Sequence, residues 1–226
     1  MTEITFRSDA GVTLLQHAGG EDMVILAARQ STNGRHAKQV DVPRLLKFLA
    51  EDGHKVPFEH NILTFHFEVP IFTSRQILKY RHSSISEESG RYRELEGVFY
   101  VPDENRKVVQ VGKTGEYRFE TDESALETVD SVLVTNSSEC WNSYTYLLRE
   151  GIAKEVARMV LPLNLYSSMV VSMNLVGWLH FISQRATLAP SHGQVEIADV
   201  ADQVAEHIEE LYPNAWKQFV DNGYKL

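Results

Sequence analysis

Leu63-Thr64-Phe65-His66-Phe67-Glu68-Val69 alternates apolar and polar side chains without a break. That period of two is the signature of a strand with one buried face, and Pro70 closes it. Working upstream, Ile4 and Phe6, then Val12 and Leu14, flank Ser8-Asp9-Ala10-Gly11 and read as a strand pair joined by a turn. A short helix follows from Asp22 to Gln30, and Ser31-Thr32-Asn33-Gly34 is a loop signal. Asp41-Val42-Pro43 opens a second helix, with Asp41 accepting from free backbone N–H groups and Pro43 in the first turn. Leu45, Leu46, Phe48 and Leu49 supply its buried face, and Gly53 ends it in a left-handed conformation.

Downstream, Ile71 to Tyr80 reads as a short helix and Val98 to Val101 as a strand stopped by Pro102. Gly112 to Thr121 is polar and reads as a mobile loop. Asp122 to Arg149 is a long helix ended by Gly151, and Lys154 to Leu161 another, stopped by Pro162. Val170 to Met173 is a strand or a helix start. Asn174 to Gln184, Glu196 to Leu211 and Asn214 to Val220 complete a helical second half. With no repeat or linker in view, strands early and helices late predict an α+β fold. The expectation is a mixed or antiparallel sheet with a helix-rich C-terminal half, in a single domain over residues 1–226.

The 226 residues carry 31 acidic and 22 basic side chains, a formal charge of -9. That balance argues against a nonspecific nucleic-acid binder, which needs a basic footprint. Hydrophobic residues at 43% exclude wholesale disorder. Cys140 is the only cysteine, so an intramolecular disulfide, a cysteine zinc site and a CxxC pair are all excluded. The start, Met1 to Phe6, lacks the basic and apolar regions of a signal peptide, and the best apolar run, Met169 to Phe181, is broken by Ser172, Asn174 and His180. The expectation is a cytoplasmic protein with no membrane partner.

Several motifs carry little. Gly112-Lys113-Thr114 matches the end of a phosphate loop, but Lys107 stands where the upstream glycine belongs. Nine histidines include no His-Glu-x-x-His, and His54, His60 and His66 fall six apart, so no metal site is expected. Cys140, beside Trp141 in the long helix, reads as packing rather than a nucleophile.

The chemistry concentrates in Arg75 to Arg93, where five Lys or Arg meet two acids and four serines. Guanidinium forks match phosphate oxygens two at a time. Interleaved with Ser and Gly, they suit the phosphate of a nucleotide or cofactor. A solvated loop with surface ion pairs would use the same residues.

This stretch resembles the signature of flavin-dependent thymidylate synthases: Arg-His-Arg, seven residues, then Ser-x-Arg-Tyr. Here it reads Lys79-Tyr80-Arg81, seven residues, then Ser89-Gly90-Arg91-Tyr92, with Arg75-Gln76 upstream. Four further blocks resemble the family in order: Gly53-His54 with Pro57-Phe58-Glu59-His60; Pro70-Ile71-Phe72; Glu155 to Tyr166; and Asn174, Arg185 and Ser191-His192 with Gln194 and Glu196. The resemblance implies a thymidylate synthase-complementing fold. It also implies conversion of dUMP to dTMP, with methylenetetrahydrofolate as carbon donor, FAD as cofactor and NADPH as reductant. It implies a homotetramer with shared active sites, and no cysteine nucleophile. Related enzymes acting on UMP, or leaving a hydroxymethyl group, and a non-catalytic nucleotide- or flavin-binding relative are the alternatives.

By the same resemblance, Arg185 is the catalytic residue, stabilising an electron-rich uracil. Gln76, Lys79, Glu87, Ser89, Gly90, Arg91 and Arg158 join it as nucleotide-binding residues. Lys79, Tyr80, Arg81, Glu87, Asn174 and His180 are the flavin-binding positions, and His54 lies where folate and hydride chemistry meet. The chain departs from the pattern on the flavin side. Lys79 replaces Arg, Tyr80 replaces His, Val56 stands where relatives place a hydroxyl, and Val176 stands where Arg is frequent.

Overall fold

The alternating stretch forms β3 (Ile62–Pro70), whose odd-numbered side chains Leu63, Phe65, Phe67 and Val69 are fully buried. The computed structural model describes residues 4–31, 41–190 and 193–226. The Ser191-His192 pair and most of the Ser31 to Gly34 loop signal lie outside them. The chain divides into two compact units: Met1–Asp9 with Val69–Ser74 and Glu88–Ser167, and Ala10–Glu68 with Arg75–Glu87 and Ser168–Leu226.

In the first unit, β1 (Thr5–Arg7) pairs in parallel with β5 (Val98–Tyr100). The strand pair expected at the N-terminus therefore does not form. Arg7 turns on Asp9 instead, with two guanidinium bonds of 2.7 Å. Those bonds hold the Asp9 carboxyl below its ordinary value, and the Tyr166 hydroxyl donates to the Asp9 carbonyl at 2.6 Å. The helix α5 (Glu123–Arg149) is capped by Asp122, which accepts from Ala125 N at 2.9 Å. It buries Trp141 and Tyr144 against Phe99, Ala157 and Leu165. The buried Asn164 amide is satisfied by Tyr100 O at 2.9 Å and Ser137 Oγ at 3.0 Å. After α5 come α6 (Lys154–Ala157) and a 3-10 turn at Arg158–Val160. The segment expected to be a polar loop is partly a hairpin, β6 (Val109–Val111) and β7 (Arg118–Glu120). Three-residue strands are too short to show a period.

In the second unit, four strands run in the order β2 (Gly11–Ala18), β3, β8 (Tyr166–Asn174) and β4 (Ser83–Glu87). β2 pairs antiparallel with β3, and β4 antiparallel with β8. β8 settles the ambiguity at Val170 to Met173 as strand. The helices are α1 (Glu21–Arg29), α2 (Val42–Glu51), α3 (Val56–Glu59), α4 (Ile71–Ile77), α7 (Leu175–Arg185), α8 (Val195–Leu211) and α9 (Pro213–Asp221), with α4 starting in the first unit. Trp178 of α7 donates to Leu63 O at 3.1 Å and meets Phe65 edge-on at 4.9 Å, which fixes α7 to β3. Glu21 accepts from the N–H groups of Asn214 and Ala215 at 2.7 and 2.8 Å, an acid at the positive end of α9. Asp41 caps α2 as expected, and Gly53 and Gly151 take φ of 67° and 77° after their helices. Phe48, expected in the core, is half exposed; α2 buries Leu46, Leu49 and Ala50. Among the described residues, no helix is long and apolar enough to cross a membrane, and no group of three or more His, Cys, Asp or Glu could hold a metal.

Candidate active site

The segment Lys79-Tyr80-Arg81-His82 links α4 to β4. Its turn is set by Tyr80 N donating to Ile77 O at 3.1 Å and by the Ser83 hydroxyl donating to Tyr80 O. The Tyr80 ring stands edge-on to His180 at 5.8 Å and to Phe181 at 5.1 Å, both on α7. Gly177, His180 and Gln184 recur at spacings of three and four, so they share one face of that helix. Together with Met173, Arg185 and the Lys79–His82 segment they line a cavity of about 410 Å³.

Arg185 sits in the last turn of α7, where a cation is favoured. Its guanidinium hydrogen-bonds to the Tyr80 phenol. Burial pushes the Tyr80 phenol above its ordinary value, and the Arg185 bond and charge pull the other way without cancelling the rise. Arg185 Nε is buried with no hydrogen-bond partner, an unmet donor at the cavity. Gly193 lets the chain pass close by, since a Cβ there would lie 2.7 Å from Arg185 O.

A second cavity, of about 800 Å³, begins on the same α7 face at Asn174, Gly177, His180 and Gln184. Lys55, Glu59, His82, Phe219, Tyr224 and Lys225 also line it. Its volume falls in the range of cofactor sites, ~300–1,000 Å³. Asn174 has a further duty: its Oδ1 caps α7 by accepting from Gly177 N at 2.8 Å, leaving its amide nitrogen for a ligand. Apolar and aromatic walls, two lysines and two histidines fit an aromatic cofactor bearing phosphates.

Among the expected flavin positions, Lys79, Tyr80, Arg81, Asn174 and His180 thus come together on these cavities. Glu87 ends β4 opposite Met169. Gln76 donates to Gln194 at 3.0 Å. His54 is exposed against Phe48, ring to ring at 5.6 Å, and lines neither cavity. Ser89, Gly90, Arg91 and Arg158 belong to the first unit. There Arg91 pairs with Glu155 at 3.0 Å, and a Cβ on Gly90 would lie 3.2 Å from Arg158 Cδ. His82, Gln184, Lys55 and Lys225 were not singled out from the sequence. His82 follows the signature directly and Gln184 lies four residues after His180. The two lysines had no local signal.

The family model for the thymidylate synthase complementing protein matches residues 13–214. The chain belongs to that family, the flavin-dependent thymidylate synthases. The relatives of that name include one from Streptomyces avermitilis, 39% identical over 97% of this chain and 94% of its own length. Another, from Tropheryma whipplei, is 39% identical over 96% of this chain and 95% of its own. Among solved structures, a UMP/dUMP methylase, PolB from Streptomyces cacaoi, bound with 5-Br UMP, matches with a TM-score of 0.90 and 35% identity over 99% of both chains. The same enzyme bound with 5-Br dUMP also gives 0.90. The thymidylate synthase-complementing fold expected from the signature is therefore present, with antiparallel pairing in the four-stranded sheet.

Proposed function

We propose that the chain, acting as one domain, methylates C5 of a uridylate, converting dUMP to dTMP in the cytoplasm. The observation that carries this reading is the Arg185 guanidinium, with an unmet buried donor, set beside the Lys79-Tyr80-Arg81 signature. Arg185 stabilises the electron-rich uracil that makes C5 nucleophilic. Arg91, Arg158, Ser89 and the Gly90 backbone hold the nucleotide, with Gln76, Lys79 and Glu87. Tyr80, Arg81, Asn174 and His180 position the flavin, and His54 serves the folate region. When bound, reduced FAD supplies the hydride that completes a methyl group from the methylene carbon of methylenetetrahydrofolate, as C5 gives up its proton. NADPH restores the flavin, and a homotetramer shares the sites.

The two PolB complexes favour a second reading, in which UMP is accepted alongside dUMP. One experiment tests both. Purified protein is given FAD, methylenetetrahydrofolate and NADPH with dUMP and UMP in competition, and products are weighed by mass spectrometry. Methylated dUMP supports the first reading and methylated UMP the second; no methylated product from either refutes both. Arg185→Ala should lower turnover by about 10²–10³.

A further inference from the structure

After α9 the chain does not run off into solvent. Gly223 and Tyr224 both take left-handed backbone angles, φ of 66° and 61°. Glycine adopts these freely, but a tyrosine does so only under constraint. The constraint is visible. Tyr224 N donates to Phe219 O at 2.8 Å, and the Tyr224 ring meets the buried Phe219 ring edge-on at 5.4 Å. The Asn222 amide donates to Ala50 O of α2 at 3.2 Å and to Lys225 O at 3.1 Å. A backbone outlier held from two helices is a reason to look for a function.

The consequence of the turn is that Tyr224, Lys225 and Leu226 become part of the 800 Å³ cavity lining. The α7 residues on that lining offer Asn174, His180 and Gln184 as polar groups, but no lysine or arginine. The lysines of the lining are Lys55 beside α3 and Lys225, against Glu59 as its acidic side chain. Among the described residues neither lysine forms a salt bridge. Unpaired ammonium groups on a concave wall that also offers aromatic rings match an aromatic ligand carrying phosphate.

We propose that Lys225, presented by the left-handed turn and assisted by Lys55, holds the phosphates of the flavin dinucleotide. Asn222 is the positioning residue that fixes Lys225 in place. The inference rests on the flavin-binding reading above. The test uses full-length protein and measures FAD affinity by fluorescence quenching, with phosphate-free riboflavin as the second probe. Lys225→Ala should weaken FAD about tenfold and lessen its salt dependence, while riboflavin is held as before. Lys225→Arg should stay within about threefold of wild type, because the charge survives. Asn222→Ala, which removes an amide that holds Lys225 through its backbone carbonyl, should also weaken FAD while leaving riboflavin unchanged. Far-UV melts confirm that each variant is folded. If wild type binds FAD and Lys225→Ala binds it equally well, the proposal for Lys225 is overturned and the flavin reading stands. If wild type binds neither FAD nor riboflavin, both are overturned.

Discussion

Replacing Gly90 with alanine tests whether the close Gly90–Arg158 contact belongs to the nucleotide site. No left-handed angle is imposed at Gly90, so the backbone accepts alanine and the problem is space alone. The new methyl would lie 2.8 Å from Leu95 Cδ1, 3.1 Å from Leu95 Cγ and 3.2 Å from Arg158 Cδ. Leu95 cannot withdraw its backbone, since its N–H donates at 3.0 Å to the hydroxyl of buried Tyr144. It can turn only its tip. The exposed Arg158 stem is the softer neighbour and takes up the rest. Overpacking against flexible side chains costs about 1 kcal/mol, the lower end of the usual range. Expressed as stability, that lowers the melting temperature by about 2–4 °C. Expressed in binding, it weakens dUMP by up to about fivefold. Titration calorimetry with dUMP and a thermal melt read the two effects separately. Gly97→Ala is the control, because its methyl would lie 2.8 Å from the rigid, buried Trp141 ring, packed on Phe99 and Tyr144. It should cost about 2–3 kcal/mol of stability with dUMP affinity within about twofold. If Gly90→Ala loses stability yet binds dUMP like wild type, the close Gly90–Arg158 contact is not part of the nucleotide site. Equal affinity losses in both variants would refute the reasoning from local space.

Three other outcomes follow from the geometry. Asn174→Ala should cost about 1 kcal/mol by removing the α7 cap and should weaken FAD; Asn174→Asp should keep the stability but still weaken FAD, read by melting and flavin fluorescence. Arg91 and Glu155 form an exposed pair worth at most about 1 kcal/mol, so alanine at either should barely change melting, while only Arg91→Ala weakens dUMP. The Tyr80 phenol, raised by burial above 10.0, should ionise late in a 295 nm difference titration of wild type against Tyr80→Phe. Because its folded value is raised, its contribution to stability is complete below the unfolded value and is lost as pH climbs through the folded one. A phenolate appearing at or below 10.0 contradicts the placement.

The elements with a clear period or cap could be read from the sequence: β3, the Asp41 and Asp122 helices, and α7 through α9. The failures have physical causes. β4 is Ser-Ser-Ile-Ser-Glu, too polar to look like a strand, and only pairing with β8 makes it one. Ser8-Asp9-Ala10-Gly11 carries turn residues, but Asp9 spends its carboxylate on Arg7, and β1 finds its partner at Val98. Phe48 has the right spacing for burial, yet helix rotation is set by tertiary packing, which a local pattern does not contain. In the site, family resemblance located Tyr80, Asn174, His180 and Arg185. It was silent on Lys55 and Lys225, which share a cavity only after the 169 residues between them have folded.

The interleaving of the two units also sets an order for events during synthesis. The first unit needs β1, Val69–Ser74 and everything from Glu88 to Ser167, so it cannot close until Ser167 has left the ribosome. β1 emerges first but must wait for Val98, 93 residues later, before its backbone is paired. Such long-range parallel pairing is slow and leaves an edge exposed meanwhile. β2 and β3, by contrast, are both complete once Pro70 is made, so their antiparallel pair can protect the nascent chain while its oldest strand is still unpaired.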